Sequence, residues 1–262
     1  MAASHPPALL THVARSLRGE CAALRGERVL VATSGGADSQ VLLHALAWHA
    51  KKHGLTLVAH GVDHGLRAEA AAELDLAEDL ARTLGVPFAR TRLALPPGGN
   101  LQARARDARF EALRAAALAA GARFIATAHH ADDRAETVLL RLLRGAGPQG
   151  LAVLPPLAGD LARPLLRASR ADIRAHAMRH GLRFAEDPSN ADPRFARVRV
   201  RREVLPLLAE LDPGIVRHLC DLADRLLALA PEEPPAPAPR PPEDDDDCSP
   251  PPLPPGRSMT KV

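Results

Sequence analysis

Three short stretches gather the side chains able to bind phosphate, hold a cation or move a proton. The first is Ser34-Gly35-Gly36-Ala37-Asp38-Ser39. Its two glycines permit a tight turn and close approach of a ligand to the backbone. The amides of such a turn, set at a helix start, suit an anion. The hydroxyls of Ser34 and Ser39 can add hydrogen bonds. Asp38 is repulsive beside phosphate unless it holds Mg²⁺ or orients a substrate group. No Gly-Lys-Ser/Thr is present, so this is not a Walker loop.

The second stretch runs from His60 through Asp63 and His64 to Arg67. Arg67 has the chemistry for a phosphate contact, and His64 for proton handling or for placing an adenine ring. The third runs from Thr127 through His129, His130, Asp132, Asp133 and Glu136 to Thr137. On a helix, Asp133 and Glu136 share one face, and Asp132 lies close to Glu136. First-turn acids also suit the helix dipole. Three carboxylates and two histidines exceed what a cap needs. They could bind an ammonium group and accept its proton, or share Mg²⁺. Adjacent histidines without cysteine or helical His spacing argue against zinc.

The elements between these stretches explain how they meet. Arg28 to Thr33 is a β-branched run that ends at the glycine loop. Apolar spacing over 37–53 predicts a helix closed by Gly54. Strands over 55–62, 86–95 and 123–127 alternate with helices over 68–84, 100–120 and 131–143. A first helix is expected over 8–24, and one or two short strands over 154–166. Four strand–helix repeats predict an α/β fold, a doubly wound parallel sheet with both faces covered. In such a sheet, ligands bind beyond the carboxyl ends of the strands, where all three stretches fall. Ser169 and Asp172 predict a capping box and a helix to about 180. Asp212 followed by Pro213 predicts another helix start within a small helical appendage over 195–229.

Composition divides the chain further. The 262 residues include 25 prolines, 12 of them in 231–262, where seven acidic residues face three basic ones. The body, 1–230, has 31 basic and 24 acidic residues, and the chain's basic charge is 31 Arg against 3 Lys. The sequence therefore divides into a catalytic domain (1–190), a basic helical appendage (191–230) and a disordered, acidic, Pro-rich tail (231–262). No window approaches a membrane span, and no basic start with an apolar run suggests a signal peptide. Cys21, Cys220 and Cys248 are widely spaced, which fits a reducing cytoplasm and neither a metal nor a redox pair. Five arginines in 194–202, with Arg104 and Arg106 elsewhere, make a candidate RNA-binding strip, although charged helix faces are often only solvated. With one Trp and no Tyr, base recognition by aromatic stacking is not expected.

Ser34-Gly-Gly-Ala-Asp-Ser39 resembles the PP-loop of ATP pyrophosphatases. Taken with Val62-Asp-His-Gly-Leu-Arg67, Ala105-Arg-Asp-Ala-Arg-Phe110, Thr127-Ala-His-His-Ala-Asp-Asp133, Arg163-Pro-Leu-Leu166 and Glu186-Asp-Pro-Ser-Asn190, the chain resembles the tRNA(Ile)-lysidine synthase family over about 25–210. That resemblance implies ATP and Mg²⁺ as cofactors, and free L-lysine and a CAU-anticodon isoleucine tRNA as substrates. The cytidine at the first anticodon position would be adenylated at its C2 oxygen, and the lysine ε-amine would then displace AMP. Ser34, Gly35, Gly36, Ala37, Asp38 and Ser39, with His64 and Arg67, would bind ATP. Asp38 would assist as metal ligand or base, Asp133 and Glu136 would handle lysine, and Arg109 and His130 would lie near the reacting centre. A homodimer is compatible with this reading. Relative to the family pattern, Arg134 replaces Gln, Ala146 Ser, Phe110 Tyr and Val198 Asn. A thiolation-type PP-loop enzyme is the competing reading, weakened by the lack of paired cysteines. An inactive nucleotide- or RNA-binding PP-loop protein is the other.

Overall fold

The computed structural model describes residues 9–63, 65, 70–94, 101–185 and 194–229. The expectations for His64, Arg67, 186–190 and the tail lie outside them. Helix α1 (Leu9–Arg18) and a 3₁₀ turn (Ala22–Leu24) lead into β1 (Arg28–Thr33). Then follow α2 (Ala37–His53), β2 (Thr56–Asp63), α3 (Ala70–Thr83), β3 (Phe88–Arg92), α4 (Leu101–Ala119) and β4 (Phe124–Ala126). The remainder comprises α5 (Ala131–Leu143), α6 (Pro148–Leu151), β5 (Leu157–Ala158), β6 (Leu161–Ala162) and α7 (Arg170–Arg179). Last come α8 (Ala196–Arg199), a π turn (Val200–Val204), α9 (Leu205–Leu211) and α10 (Ile215–Leu229).

The six strands lie in the order β3-β2-β1-β4-β6-β5. Every pairing is parallel except β5 with β6, where Gly159 at φ 56° helps the chain reverse. The expected parallel sheet is therefore present, with one short antiparallel edge. From β1 the chain winds toward β2 and β3, then crosses back to β4. The gap between β1 and β4 is the point where winding direction changes, the usual ligand crevice of such sheets.

Alternation along β1 separates the two faces. Val29 and Val31 join Leu42, Leu46 and Ile173 in the core under α2 and α7. Leu30 and Ala32 join Phe110, Leu113 and Ile125 under α4. A third apolar cluster unites α5 with the C-terminal helices through Val138, Leu151, Val200, Leu205, Leu219 and Ala223. The helical appendage thus shares a core with α5.

Local chemistry sets several boundaries. Gly54, at φ 67°, ends α2 and donates its N–H to Ala50. Ser169 caps α7 reciprocally with Asp172, at 3.1 and 2.9 Å. Asp212 accepts the Gly214 N–H at 2.7 Å just ahead of α10. Helix α1 stops at Arg18, short of the expected 24. Gly19 follows, and the chain turns so that the Cys21 N–H reaches Ser16 O. Pro206 lacks the N–H that would extend the helical ladder, and the helix widens into the π turn just before it.

Candidate functional site

The loop after β1 is a braced turn. Gly35 adopts φ 75°, and a Cβ there would lie 2.0 Å from the carbonyl oxygen of Glu73 on α3. Only glycine fits. The Gly35 carbonyl accepts the Ala185 N–H at 3.0 Å, which ties the loop to the chain after α7. Ser39 is buried and acts as a strut. Its Oγ accepts the Ser34 N–H at 3.1 Å and donates to Gly36 O at 2.9 Å. Ser34 Oγ lies 3.2 Å from it, and Ser34 itself is exposed. Gly36 caps α2 without any side-chain hydrogen bond, so the first amides of this 17-residue helix are not capped by a side chain. That is the arrangement an anion needs.

Asp38 and Ala37 occupy the first turn of α2. The Asp38 side chain is about half exposed, at 48%. Desolvation raises its pKa; His130 pulls it back, and Asp133 adds to the rise. A half-exposed carboxylate beside an anion-binding helix start suits Mg²⁺, which commonly takes one or two protein carboxylates plus substrate phosphates. Among the described residues no group of three or more His, Cys, Asp or Glu side chains is placed to hold a metal by itself.

Across the crevice, His130 caps α5 with no exposed surface. Its Nδ1 lies 3.5 Å from Asp132, and its Nε2 lies 3.4 Å from Asp133 and 3.8 Å from Asp38. Burial disfavours its charged form, but Asp133, Asp132 and Asp38 outweigh burial, and its pKa is raised. Neighbouring His129 behaves oppositely. Burial drives its pKa down to about 3, and its Nδ1 shares a 2.9 Å hydrogen bond with Thr127 Oγ1. Two adjacent histidines are thus shifted in opposite directions: His130, fully buried, faces three carboxylates, and His129 has Asp133 alone to oppose its desolvation.

Asp133 and Glu136 do share a face, and arginines cover it. Glu136 has no exposed surface. It accepts from Arg170 Nη2 at 2.9 Å, Arg201 Nε at 2.7 Å and Nη2 at 3.0 Å, and Arg197 Nε at 2.9 Å. Asp133 accepts from Arg197 Nη2 at 3.3 Å and receives the His130 N–H at 3.1 Å. Desolvation raises both carboxyl pKa values, yet His130 and Arg197 at Asp133, and Arg201 and Arg197 at Glu136, bring them below the usual range. Asp132 accepts the backbone N–H of Arg170 at 2.8 Å, which joins the starts of α5 and α7.

Asp38, His130 and Asp133 are therefore brought together, and Glu136 lies behind them under guanidinium groups. Arg109 lies half-buried on α4, the helix that covers the opposite sheet face from α2. Sequence reasoning missed Arg170 and read Arg197 and Arg201 only as an RNA strip. One signal was available: three acids in one turn require cations, and arginines recur in 194–202. The unusual positions also have places. Arg134 is fully buried and bonded to Asp224, Phe110 lies in the core with Arg106 4.9 Å from its ring centroid, and Val198 is buried. Ala146 lies against Gly150, where a Cβ would come within 2.9 Å of its own.

Comparison with known proteins points the same way. The chain is 47% identical over 212 residues to a tRNA(Ile)-lysidine synthase of Pseudomonas aeruginosa, covering 76% of this chain and 48% of that protein. It is 43% identical over 213 residues to the tRNA(Ile)-lysidine synthase of Symbiobacterium thermophilum, covering 77% and 44%. The chain thus spans about half the length of the curated relatives it matches. A U34-tRNA thiolase, NcsA from Methanococcus maripaludis with its [4Fe-4S] cluster, superposes with a TM-score of 0.72 at 19% identity, covering 85% of this chain and 80% of that one. At that identity the likeness is one of fold. A family model described as a PP-loop domain matches residues 9–208. Because that match runs from α1 through the loop after β1 and the His130 turn to Arg201, the chain belongs to the PP-loop domain family.

Proposed function

We propose that this protein ligates the ε-amine of free L-lysine to C2 of the first anticodon-position cytidine of a CAU-anticodon isoleucine tRNA, using ATP and forming an adenylated cytidine first. The catalytic unit is 1–190, with 191–230 as its basic helical appendage and 231–262 as a separate acidic tail. Curated relatives of that name support the substrate class, and the PP-loop domain supports ATP use. One observation carries the chemistry: Asp38, at the phosphate-binding turn, lies 3.8 Å from His130, which stands beside Asp133 at the opposite wall of the crevice.

Each residue's role follows from its surroundings. The Gly35–Gly36 turn and the open start of α2 receive the ATP phosphates, with Ser39 bracing the turn and Ser34 facing the ligand. For His64 and Arg67, which lie outside the described residues, a role toward the nucleotide rests on the sequence resemblance alone. Asp38 would hold Mg²⁺, which when bound supplies charge neutralisation for the diphosphate. Asp133, kept anionic by His130 and Arg197, suits a lysine ammonium. A carboxylate with a lowered pKa is a weak base, however. The amine must lose a proton before attack, and Asp38 can take it only when it is not a Mg²⁺ ligand, since a bound cation lowers a carboxylate's pKa. His130, its pKa raised by these carboxylates against the effect of burial, favours its protonated form between the two. Glu136 orders Arg170, Arg197 and Arg201 around the reacting centre, where Arg109 would add a further cation. No helix among the described residues is long and apolar enough to cross a membrane, and we place the reaction in the cytoplasm, with a homodimer as a compatible state.

Incubation of the protein with ATP, Mg²⁺, labelled lysine and the CAU-anticodon isoleucine tRNA should yield labelled tRNA and AMP. No lysine incorporation by folded protein would refute the proposal.

A further inference from the structure

Helix α10 enters the site from behind. Asp224 bonds Arg134 Nη1 through Oδ1 at 2.6 Å and Arg167 Nη1 through Oδ2 at 2.5 Å. Arg134 directly follows Asp133 on α5 and has no exposed surface. Its remaining contact is from Nε to Val153 O at 3.0 Å, and its Nη2 has no hydrogen-bond partner. Asp224 is therefore the carboxylate that compensates a buried cation one residue from Asp133. Arg167 comes from the segment between β6 and α7 and also pairs with Glu20 after α1.

The same helix touches the same turn a second time. Cys220, one turn before Asp224, donates its thiol to Ala131 O at 3.4 Å. Burial raises the Cys220 pKa to about 11, so the thiol keeps its proton. Ala131 opens α5 immediately after His130. Its N–H is held by Ala168 O at 2.9 Å, next to the segment that Asp224 grips through Arg167. One carboxylate on α10 thus fixes both sides of the turn that presents His130 and Asp133.

Resting on the function proposed above, we infer that Asp224 is a positioning residue for the ligation. Through Arg134 and Arg167 it holds the first turn of α5 at the distance from Asp38 that the transfer of lysine requires. The helical appendage is then part of the machinery of the site as well as a basic surface. A buried charge stripped of its partner destabilises its surroundings far more than a pair replaced together, and that asymmetry gives the test.

Asp224→Asn keeps the shape and leaves Arg134 facing a neutral group. Arg134→Gln combined with Asp224→Asn restores a neutral hydrogen-bonded pair. For the single variant we expect kcat for lysine transfer to fall by about tenfold to a hundredfold, as displaced reacting groups do. The phosphate-binding turn touches none of these residues, so KM for ATP should stay within about twofold. The double variant should recover most of kcat. A single variant with wild-type kcat, a KM for ATP that rises in step with the loss, or a double variant no better than the single would overturn the inference. If the wild-type protein itself incorporates no lysine, the functional reading fails, and the coupling is read from amide hydrogen exchange. Asp224→Asn should then speed exchange at Ala131 while sparing Val31 in β1; unchanged exchange at Ala131 would overturn the inference independently.

Discussion

Arg201 Nε donates to Glu136 Oε1 at 2.7 Å across 65 positions of sequence. That bond turns part of a basic strip inward. Arg197 and Arg170 complete the cluster, so three guanidinium groups converge on a carboxylate with no exposed surface. Charge pairs of this kind add little net stability over an apolar replacement, but removing one partner is costly.

Glu136→Ala should therefore destabilise the fold by about 3 kcal/mol, because three half-buried cations lose their common acceptor. Glu136→Gln, which can still accept hydrogen bonds, should cost less. Urea unfolding measures both. A midpoint for Glu136→Ala equal to that of the wild type would show that the arginines find water instead.

The elements were legible in sequence where local patterning decides them. Helix α5 spans 131–143 as its periodicity indicates, and Ser169 caps α7 as its spacing with Asp172 requires. The glycine turn was legible because few local structures need two glycines after a β-branched strand. What could not be read depends on contacts far apart in the chain. Glu136 looked available for lysine, since nothing near it in sequence reveals Arg170, Arg197 and Arg201. Nothing near Asp224 in sequence reveals that α5 places the buried Arg134 against it. Ser39 looked like a ligand hydroxyl, and its role as a strut emerges only once Ser34 and Gly36 fold around it. The sequence assigns no direction to the short edge strand β5, because two-residue strands carry no periodicity.

Stability should depend on pH in distinct windows. Burial opposes the charged form of His130, but Asp133, Asp132 and Asp38 raise its pKa from the ordinary 6.5. A histidine raised in the folded state stabilises fully below 6.5 and loses that contribution as pH climbs through its folded value. Asp38, raised from 3.8 by desolvation, contributes fully only below that value and loses the contribution as it ionises, in a window that opens at 3.8 and not at 6.5. Asp133 and Glu136 are lowered despite burial, so their contribution is present above their ordinary values of 3.8 and 4.5 and lost as pH falls through the folded ones. His130→Gln should therefore flatten much of the fall in stability above pH 6.5 and leave the acid limb in place. Thermal melts across pH check this, and an unchanged alkaline slope would contradict the charge assigned to His130.

Gly35→Ala should damage nucleotide binding. A Cβ at this position meets the Glu73 carbonyl at 2.0 Å, and the left-handed backbone adds roughly 1–2 kcal/mol of strain. The turn or the start of α3 must move, and ATP affinity should fall by at least about tenfold, or ~1.4 kcal/mol. Gly121 has φ 63° but only the end of Arg28 near it, at 3.9 Å. Gly121→Ala therefore carries the backbone strain without the clash and should leave ATP binding intact. Equal effects of the two substitutions would mean that strain alone, and not contact with α3, fixes the turn.

Asp133 and Asp38 face one histidine but should separate kinetically. Asp133, on α5, has its pKa lowered by His130 and Arg197. Asp133→Asn should remove the charge that an ammonium needs, raising KM for lysine and lowering transfer by about a hundredfold, with little change in ATP affinity. Asp38 stands on the first turn of α2 itself. Asp38→Asn should weaken Mg²⁺-dependent use of ATP. Adenylate formation read by diphosphate release, beside lysine incorporation into tRNA, divides the two steps. Loss of both steps in parallel for Asp133→Asn would remove the distinction, because the carboxylate would then serve the nucleotide as much as the amine.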